Sequence, residues 1–341
     1  MSHARSGILA AGHFIVDHTN VLDHWPEQDA LATIGTEKRG NGGGAFNCLM
    51  DLGRLGAPFS LAAAGLVGDD ENGRWIRAAC HAAGIDTAHL QTSSSAPTSH
   101  ALVMTVQATG RRTFFYQPGT NAEFAPAHVP VGSTFARILH FGYVGLLRAF
   151  DSPQGAGQAY ASVFAAARKC GLKTSADLVS NPEADLPRLL GPALGEIDWL
   201  FGNEYEIARA AALTPPAADP IERFRVSLEA GRRLVAAGVR EAVIAHFPEG
   251  AVAVTRTGHH VQPAVNVPAA RIRGTAGAGD AFAAGTLLGL HEAWTLPRAL
   301  ELGVCAAAAC LEDETCSASI RPWSECLESG RTLGWRLAPG I

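Results

Sequence analysis

The chain has 341 residues, 47% of them apolar and 17% charged, and a net charge of −5 at pH 7. That supplies the core of one large α/β domain or two ordinary ones, and the negative balance gives a nucleic-acid partner no electrostatic support. The seven cysteines form no CxxC pair and the histidines show no metal-ligand spacing; with no secretory leader and no apolar run of membrane-spanning length, the expectation is a cytoplasmic protein with reduced thiols.

Ile8–Val16 reads as the first strand. Asp17, just past it, is a carboxylate in an apolar neighbourhood; it can accept from two adjacent ligand hydroxyls or cap a turn. Residues 42–56, GGGAFNCLMDLGRLG, open on glycines and run into a helix over Gly44–Leu55. Gly42 and Gly43 would let a ligand touch backbone, and Asn47 offers the donor and acceptor that sugar hydroxyls need; the same pattern is also an ordinary helix start. Phe59–Ala64 is a strand and Gly73–Ala83 a helix. Two β-rich excursions, about 14–40 and 97–120, lack helical periodicity, and Ala101–Gln117 turns at Thr109-Gly110 as a hairpin does. Together they can form a small separate sheet.

From Ala136 onward, short buried strands (Ile138–Phe141, Lys173–Ala176, Trp199–Phe201, Ala242–Ala245) alternate with helices such as Ala159–Lys169 and Ser227–Ala237. The alternation predicts an α/β fold, a mostly parallel central sheet flanked by helices on both faces, with ligands at the carboxyl ends of its strands. Asn203 and Glu206 follow such a strand; they suit a capping box or a polar pair ordering Mg²⁺-bound water and phosphate.

Residues 274–290, GTAGAGDAFAAGTLLGL, carry the most chemistry. Gly277, Ala278 and Gly279 cannot shield their backbone and lead into an apolar helix, which is how N–H groups and a helix dipole form an anion site. Asp280 sits in the same turn, either as a cap or as a base beside the atom that attacks phosphorus. The helix is apolar on every side, so it should be buried.

Asp17, Gly42-Gly43 with Asn47, the 65–73 segment GLVGDDENG, Asn203 with Glu206, and GAGD at 277–280 follow one another in an order that resembles the ribokinase-like (PfkB-type) carbohydrate kinases over about residues 7–328. The resemblance implies a single ribokinase-like kinase domain over 1–341, with the two β-rich excursions inserted in it as a lid. It implies ATP and Mg²⁺ as cofactors and Asp280 as catalytic base. Gly277, Ala278 and Gly279 become the anion hole, with Asn203 and Glu206 at the ATP phosphates and Glu206 reaching Mg²⁺ indirectly, through water. Asp17, Gly42, Gly43 and Asn47 become sugar contacts.

Four stretches depart from the family pattern. Gly274-Thr275-Ala276 and Thr315-Cys316 differ from its monovalent-cation loop, so weak or absent K⁺ activation is expected. Ala245–Gly250 lacks its Thr-x-Gly turn, and Leu178-Val179-Ser180 follow Asp177 where Asn and Arg are usual. Lys38, Arg39, Arg111 and Arg112 are taken as solvated lid residues and the acceptor as a non-phosphorylated sugar. Alternatives are a nucleoside kinase of the same fold and a binding protein without turnover; a Rossmann dehydrogenase lacks its G-x-G-x-x-G. An apolar lid face bearing Val103, Phe114 and Tyr116 gives the expectation of a homodimer joined through the lids.

Overall fold

Strand β1 (Ile8–Gly12) is buried at every residue, and its side chains divide by parity: Ile8 and Ala10 enter the core on one face of a sheet, Leu9 and Ala11 the core on the other. That is the period of a strand covered on both sides. The structure, a computed structural model, describes residues 5–155 and 157–337.

After β1 come β2 (Ile15–Leu22), β3 (Ile34–Gly42), α1 (Gly44–Arg54), β4 (Leu61–Gly68), α2 (Glu71–Ala82), β5 (Ile85–Ser93), β6 (His100–Val106) and β7 (Arg112–Gln117). The second half holds β8 (Ile138–Val144), α3 (Arg148–Asp151), α4 (Gln158–Lys169), β9 (Lys173–Leu178), α5 (Leu186–Leu190), β10 (Trp199–Asn203), α6 (Glu204–Ala210) and α7 (Pro220–Ala237). It ends with β11 (Ala242–Phe247), β12 (Gly250–Thr255), β13 (Gly258–Pro263), α8 (Ala278–His291), α9 (Leu296–Cys310) and α10 (Trp323–Leu333).

Nine strands form one sheet in the order β13-β12-β11-β10-β9-β8-β1-β4-β5. From β11 to β5 every neighbouring pair is parallel; the β12–β13 hairpin at the edge is antiparallel. α1, α2, α8, α9 and α10 pack in one core and α4 to α7 in the other, so the mostly parallel sheet flanked on both faces is present. A second sheet, β3-β2-β6-β7, is made from the two β-rich excursions, and β6 and β7 pair around the Thr109-Gly110 turn as expected.

The expected single strand Ile8–Val16 is two. Gly12 has φ 131° and no room for a Cβ against the Gly142 carbonyl, so the chain leaves the large sheet there and β2 starts the small one. α2 begins at Glu71 rather than Gly73 because Asp70 caps it, accepting from the Gly73 N–H at 2.8 Å. α7 likewise begins earlier, at Pro220, with Asp219 as its cap. Strands β5, β12 and β13 had no clear sequence signal.

On the small sheet, register and parity put Ile15, Ala101, Val103 and Tyr116 on one face, where they cluster. Phe114 shares that face and lines the main cleft, and the Tyr116 hydroxyl receives Asn121 Nδ2 at 3.3 Å. The apolar face expected to cover substrate, meet a partner, or both thus carries the cleft-lining Phe114, itself 56% exposed. The opposite face carries Leu102 and Phe115, 39% and 50% exposed, with Trp25 stacked on the Phe115 ring. Two ion pairs tie this sheet to the body, Lys38–Glu314 at 2.7 Å and Arg39–Glu71 at 2.8 Å.

Candidate active site

α8 starts where the chain takes a left-handed turn at Gly277 (φ 78°), a position also crowded by Cys316. Glycine meets both demands. No side chain caps the helix, and the N–H groups of Gly279 and Asp280 find no acceptor among the described residues. From Asp280 to Gly289 the helix is buried, as its sequence predicted, while Gly277, Ala278 and Gly279 stay partly open to the cleft.

The Asp280 carboxylate is not used as a cap. It receives Asn47 Nδ2 at 2.8 Å, and the Tyr143 hydroxyl lies 2.8 Å from both of its oxygens. Burial pushes its pKa up to about 6, and the bonds from Asn47 and Tyr143 restrain that rise because they favour the ionised form.

Three elements are needed to gather these groups: α1 brings Asn47, β8 brings Tyr143 and α8 brings Asp280. Asn47 is itself fixed, its Oδ1 accepting from Asn41 Nδ2 at 2.6 Å. Asn41 also donates to Ser317 Oγ at 2.9 Å, and Ser317 donates to the buried Asp51. At each residue of the glycine triplet a side chain of the protein lies where a Cβ would be: a Cβ at Gly42 would strike the Asp17 carboxylate, one at Gly43 would strike His13, and one at Gly44 the Tyr143 ring. Asp17 accepts no hydrogen bond from the described residues. Burial, and then the Asp280 charge, raise its pKa to about 7, with Arg112 opposing the rise.

Asn203 and Glu206 form the capping box: Asn203 Oδ1 accepts from the Glu206 N–H and Glu206 Oε2 from the Asn203 N–H, each at 2.8 Å. Ser180, in the stretch that departs from the family pattern, links the pair. It donates to Glu206 Oε1 at 2.7 Å and accepts from Asn203 Nδ2 at 3.0 Å. Asp177 is buried beside them, its carboxyl pushed well up by burial and by the charges of Asp280 and Glu206.

Tyr143, Asp177, Asn203 and His246 stand at the carboxyl ends of β8, β9, β10 and β11, all on the wall of one cleft of about 750 Å³. Part of its lining is apolar, with Val265, Val267, Ile272, Ala307 and Leu311. In the departing 245–250 turn, Phe247 packs into the core and the chain reverses at once, Phe247 pairing with Gly250. His246, whose pKa burial lowers to about 4, packs against Gly279, its ring 3.0 Å from where a Cβ there would stand. Among the described residues no group of three or more His, Cys, Asp or Glu is gathered to hold a metal ion, and no helix is long and apolar enough to cross a membrane.

Tyr143, His13, Ser180 and His246 had no place in the expected site. The strand signal at 138–144 could have drawn attention to Tyr143 as a polar residue at a carboxyl end. Lys38 and Arg39 are paired, not simply solvated, and Arg112 lies half-buried against Gly274, donating to the Glu314 carbonyl at 3.1 Å.

A family model described as "pfkB family carbohydrate kinase" matches residues 7–323. The chain is 31% identical over 295 residues to an ATP-dependent ribose-1-phosphate kinase of Halopiger xanaduensis, covering 86% of this chain and 88% of that one. It is 24% identical over 318 residues to a 5-dehydro-2-deoxygluconokinase of Geobacillus kaustophilus, covering 91% and 89%. Among solved structures, ribokinase from Cryptococcus neoformans in complex with ADP superposes with a TM-score of 0.75 at 19% identity, covering 95% of this chain and 99% of that one. That likeness is one of fold.

The buried Asp280 makes a stability prediction. Its folded pKa of about 6 lies above the ordinary 3.8, so the folded state holds this proton more tightly than the unfolded one. The contribution favours folding below about pH 4 and is lost as pH rises through about 6, a change of roughly 3 kcal/mol. Asp280→Asn removes it. Thermal melts should show the variant matching the parent near pH 4 and melting higher than the parent at pH 8; equal melting temperatures at pH 8 would contradict a strained buried carboxylate.

Proposed function

The chain belongs to the pfkB family of carbohydrate kinases and is an ATP-dependent kinase of a sugar-like substrate, and from that premise we propose that Asp280 takes the proton from the attacking hydroxyl. One observation carries this reading: a buried carboxylate stands in the first turn of an uncapped helix and is not spent on capping it. A proton affinity raised toward neutrality suits a general base. Beside it, the dipole of α8 and the turn at Gly277, Ala278 and Gly279, where the N–H groups of Gly279 and Asp280 are open, would stabilise charge on the transferring phosphoryl group, where most of the catalysis of such a loose transition state lies.

The apolar part of the cleft lining suits the nucleotide base, with Asn203, Ser180 and Glu206 toward the phosphates. Mg²⁺ bound with ATP would supply charge neutralisation there. Both Glu206 oxygens already accept protein hydrogen bonds, so Glu206 fits that ion only through water. On the acceptor side, Asp17 offers a carboxylate without a hydrogen-bond partner among the described residues, Gly42 and Gly43 its backbone floor, and Asn47 its second amide hydrogen beyond the one given to Asp280. Residues 1–341 form one kinase domain in this reading, with β2, β3, β6 and β7 as the lid that excludes water. The seven unpaired cysteines are in keeping with a cytoplasmic enzyme.

Arg112 favours a second reading of the acceptor. It is a half-buried cation whose field reaches Asp17, which suits an anionic sugar such as the ribose-1-phosphate named for the Halopiger relative. A nucleoside acceptor has a precedent of name in the aminoimidazole riboside kinase of Salmonella typhimurium, 28% identical over 286 residues. ATP consumption by the purified protein should be measured against pentoses, pentose phosphates, hexoses, keto-sugar acids and nucleosides. The productive acceptor should lose roughly 10²-fold or more in kcat on Asp280→Asn, with nucleotide affinity kept; turnover within a few-fold of the parent removes Asp280 from the chemistry.

Arg112 also bears on potassium. Its guanidinium already meets the Glu314 carbonyl and Gly274, beside the departing 315–316 stretch, so a second cation there would be repelled. Exchanging Na⁺ for K⁺ should change the rate by less than about twofold; a large activation would count against this assignment.

We further propose a homodimer through the outward lid face, since Leu102, Phe115 and Trp25 form an exposed apolar group on it. Light scattering should give twice the 35.6 kDa chain mass, and Phe115→Glu should halve it. A parent that stays monomeric at assay concentration would refute the dimer.

A further inference from the structure

Tyr143 touches both oxygens of Asp280, and three features hold it there. Its ring fills the space that a Cβ at Gly44 would need. Its backbone N–H donates to His13 Nδ1 at 3.0 Å, which leaves His13 Nε2 as the protonated nitrogen, 3.0 Å from the Leu146 carbonyl. Its hydroxyl is buried, and burial together with the Asp280 charge keeps the phenol protonated. A single O–H shared between two oxygens fixes the plane of the carboxylate. Asn47 bonds only Oδ2, so Oδ1 is the less occupied oxygen and keeps a lone pair for a further donor.

We propose that Tyr143 is a positioning residue for Asp280, its hydroxyl holding the carboxylate ionised and turned so that Oδ1 receives the acceptor's proton. The inference rests on Asp280 being the base. The charge of Asp280 is felt by the ionisable groups around it. Asp17 on β2, Asp51 on α1, Asp177 on β9 and Glu206 on α6 are each opposed in charging by Asp280, as are the thiols Cys48 on α1, Cys310 on α9 and Cys316 in the loop that follows. Arg112 acts on Asp17 and Cys310, and His246 is held neutral by burial. The hydrogen bonds from Tyr143 and Asn47 are what favour the ionised form.

The test is Tyr143→Phe, which keeps the ring and removes the hydroxyl, with kcat and KM followed from pH 5 to 9 on the acceptor found by the screen. The acid limb of kcat should move up by about one pH unit, so that the loss is about tenfold below the limb and shrinks toward pH 9. KM for ATP should stay within twofold, and Tyr143→Phe should cost nothing further in an Asp280→Asn background, because one residue acts through the other. A loss of the same factor at every pH, or one that persists in the Asp280→Asn background, would overturn the role. Should Tyr143→Phe melt below assay temperature, 3-fluorotyrosine at 143, a stronger donor, must move the limb to lower pH; an unmoved limb refutes the proposal equally. Full turnover by Asp280→Asn alone would instead refute the base assignment on which it rests.

Discussion

An ionisable carboxylate set inside the protein, at the mouth of a helix, is the constraint around which the rest of this structure is arranged. Burial opposes the charge on Asp280, and that charge in turn opposes ionisation of the neighbouring Asp17 and Asp177. The compensation is local and directional: an uncapped helix end behind the group, an amide on one oxygen, a phenol across both. Each comes from a different element, so the parallel sheet earns its role by bringing the end of β8 beneath the starts of α1 and α8. The glycines at 42–44 are there because the protein's own side chains need the space.

Much of this architecture was visible in the sequence, for a physical reason. The strands of the parallel sheet are buried on both faces and read as short apolar runs; α8 is apolar all round because it lies under α9 and beside α1. The two β-rich excursions lack helical periodicity because they alternate between a cluster of Ile15, Ala101 and Val103 and an outward face. What failed was continuity. Nothing in the apolar run Ile8–Val16 announces that Gly12 is pressed against Gly142, since that contact comes from a strand about 130 residues away. Which lid ring meets the cleft was likewise not a local matter: Phe114 and Phe115 are neighbours of one type, and only the register with Val103 and Leu102 decides which of them shares the face of the Ile15 cluster.

The candidate site divides in the same way. Asp280, Asn203 and Glu206 announce themselves because helix starts have local signatures. Tyr143 and His13 do not, because what matters about them is a meeting between distant segments. Asn47 was noticed for its donor and acceptor, yet one of each is engaged by Asp280 and Asn41. Motif positions thus show where chemistry is concentrated, while the partners that tune it are fixed by tertiary contacts.

The ion pairs that fasten the small sheet to the body have a consequence of their own. Lys38–Glu314 and Arg39–Glu71 are largely exposed, and such pairs are each worth about 0–1 kcal/mol and are weakened by salt. They are the salt-sensitive part of an attachment that also includes the buried bonds of Asn41 to Asn47 and Ser317 and the Arg112–Glu314 contact. In the lid reading proposed above, ionic strength would loosen the outer edge of the cover while the buried Asn41 contacts keep its root in place.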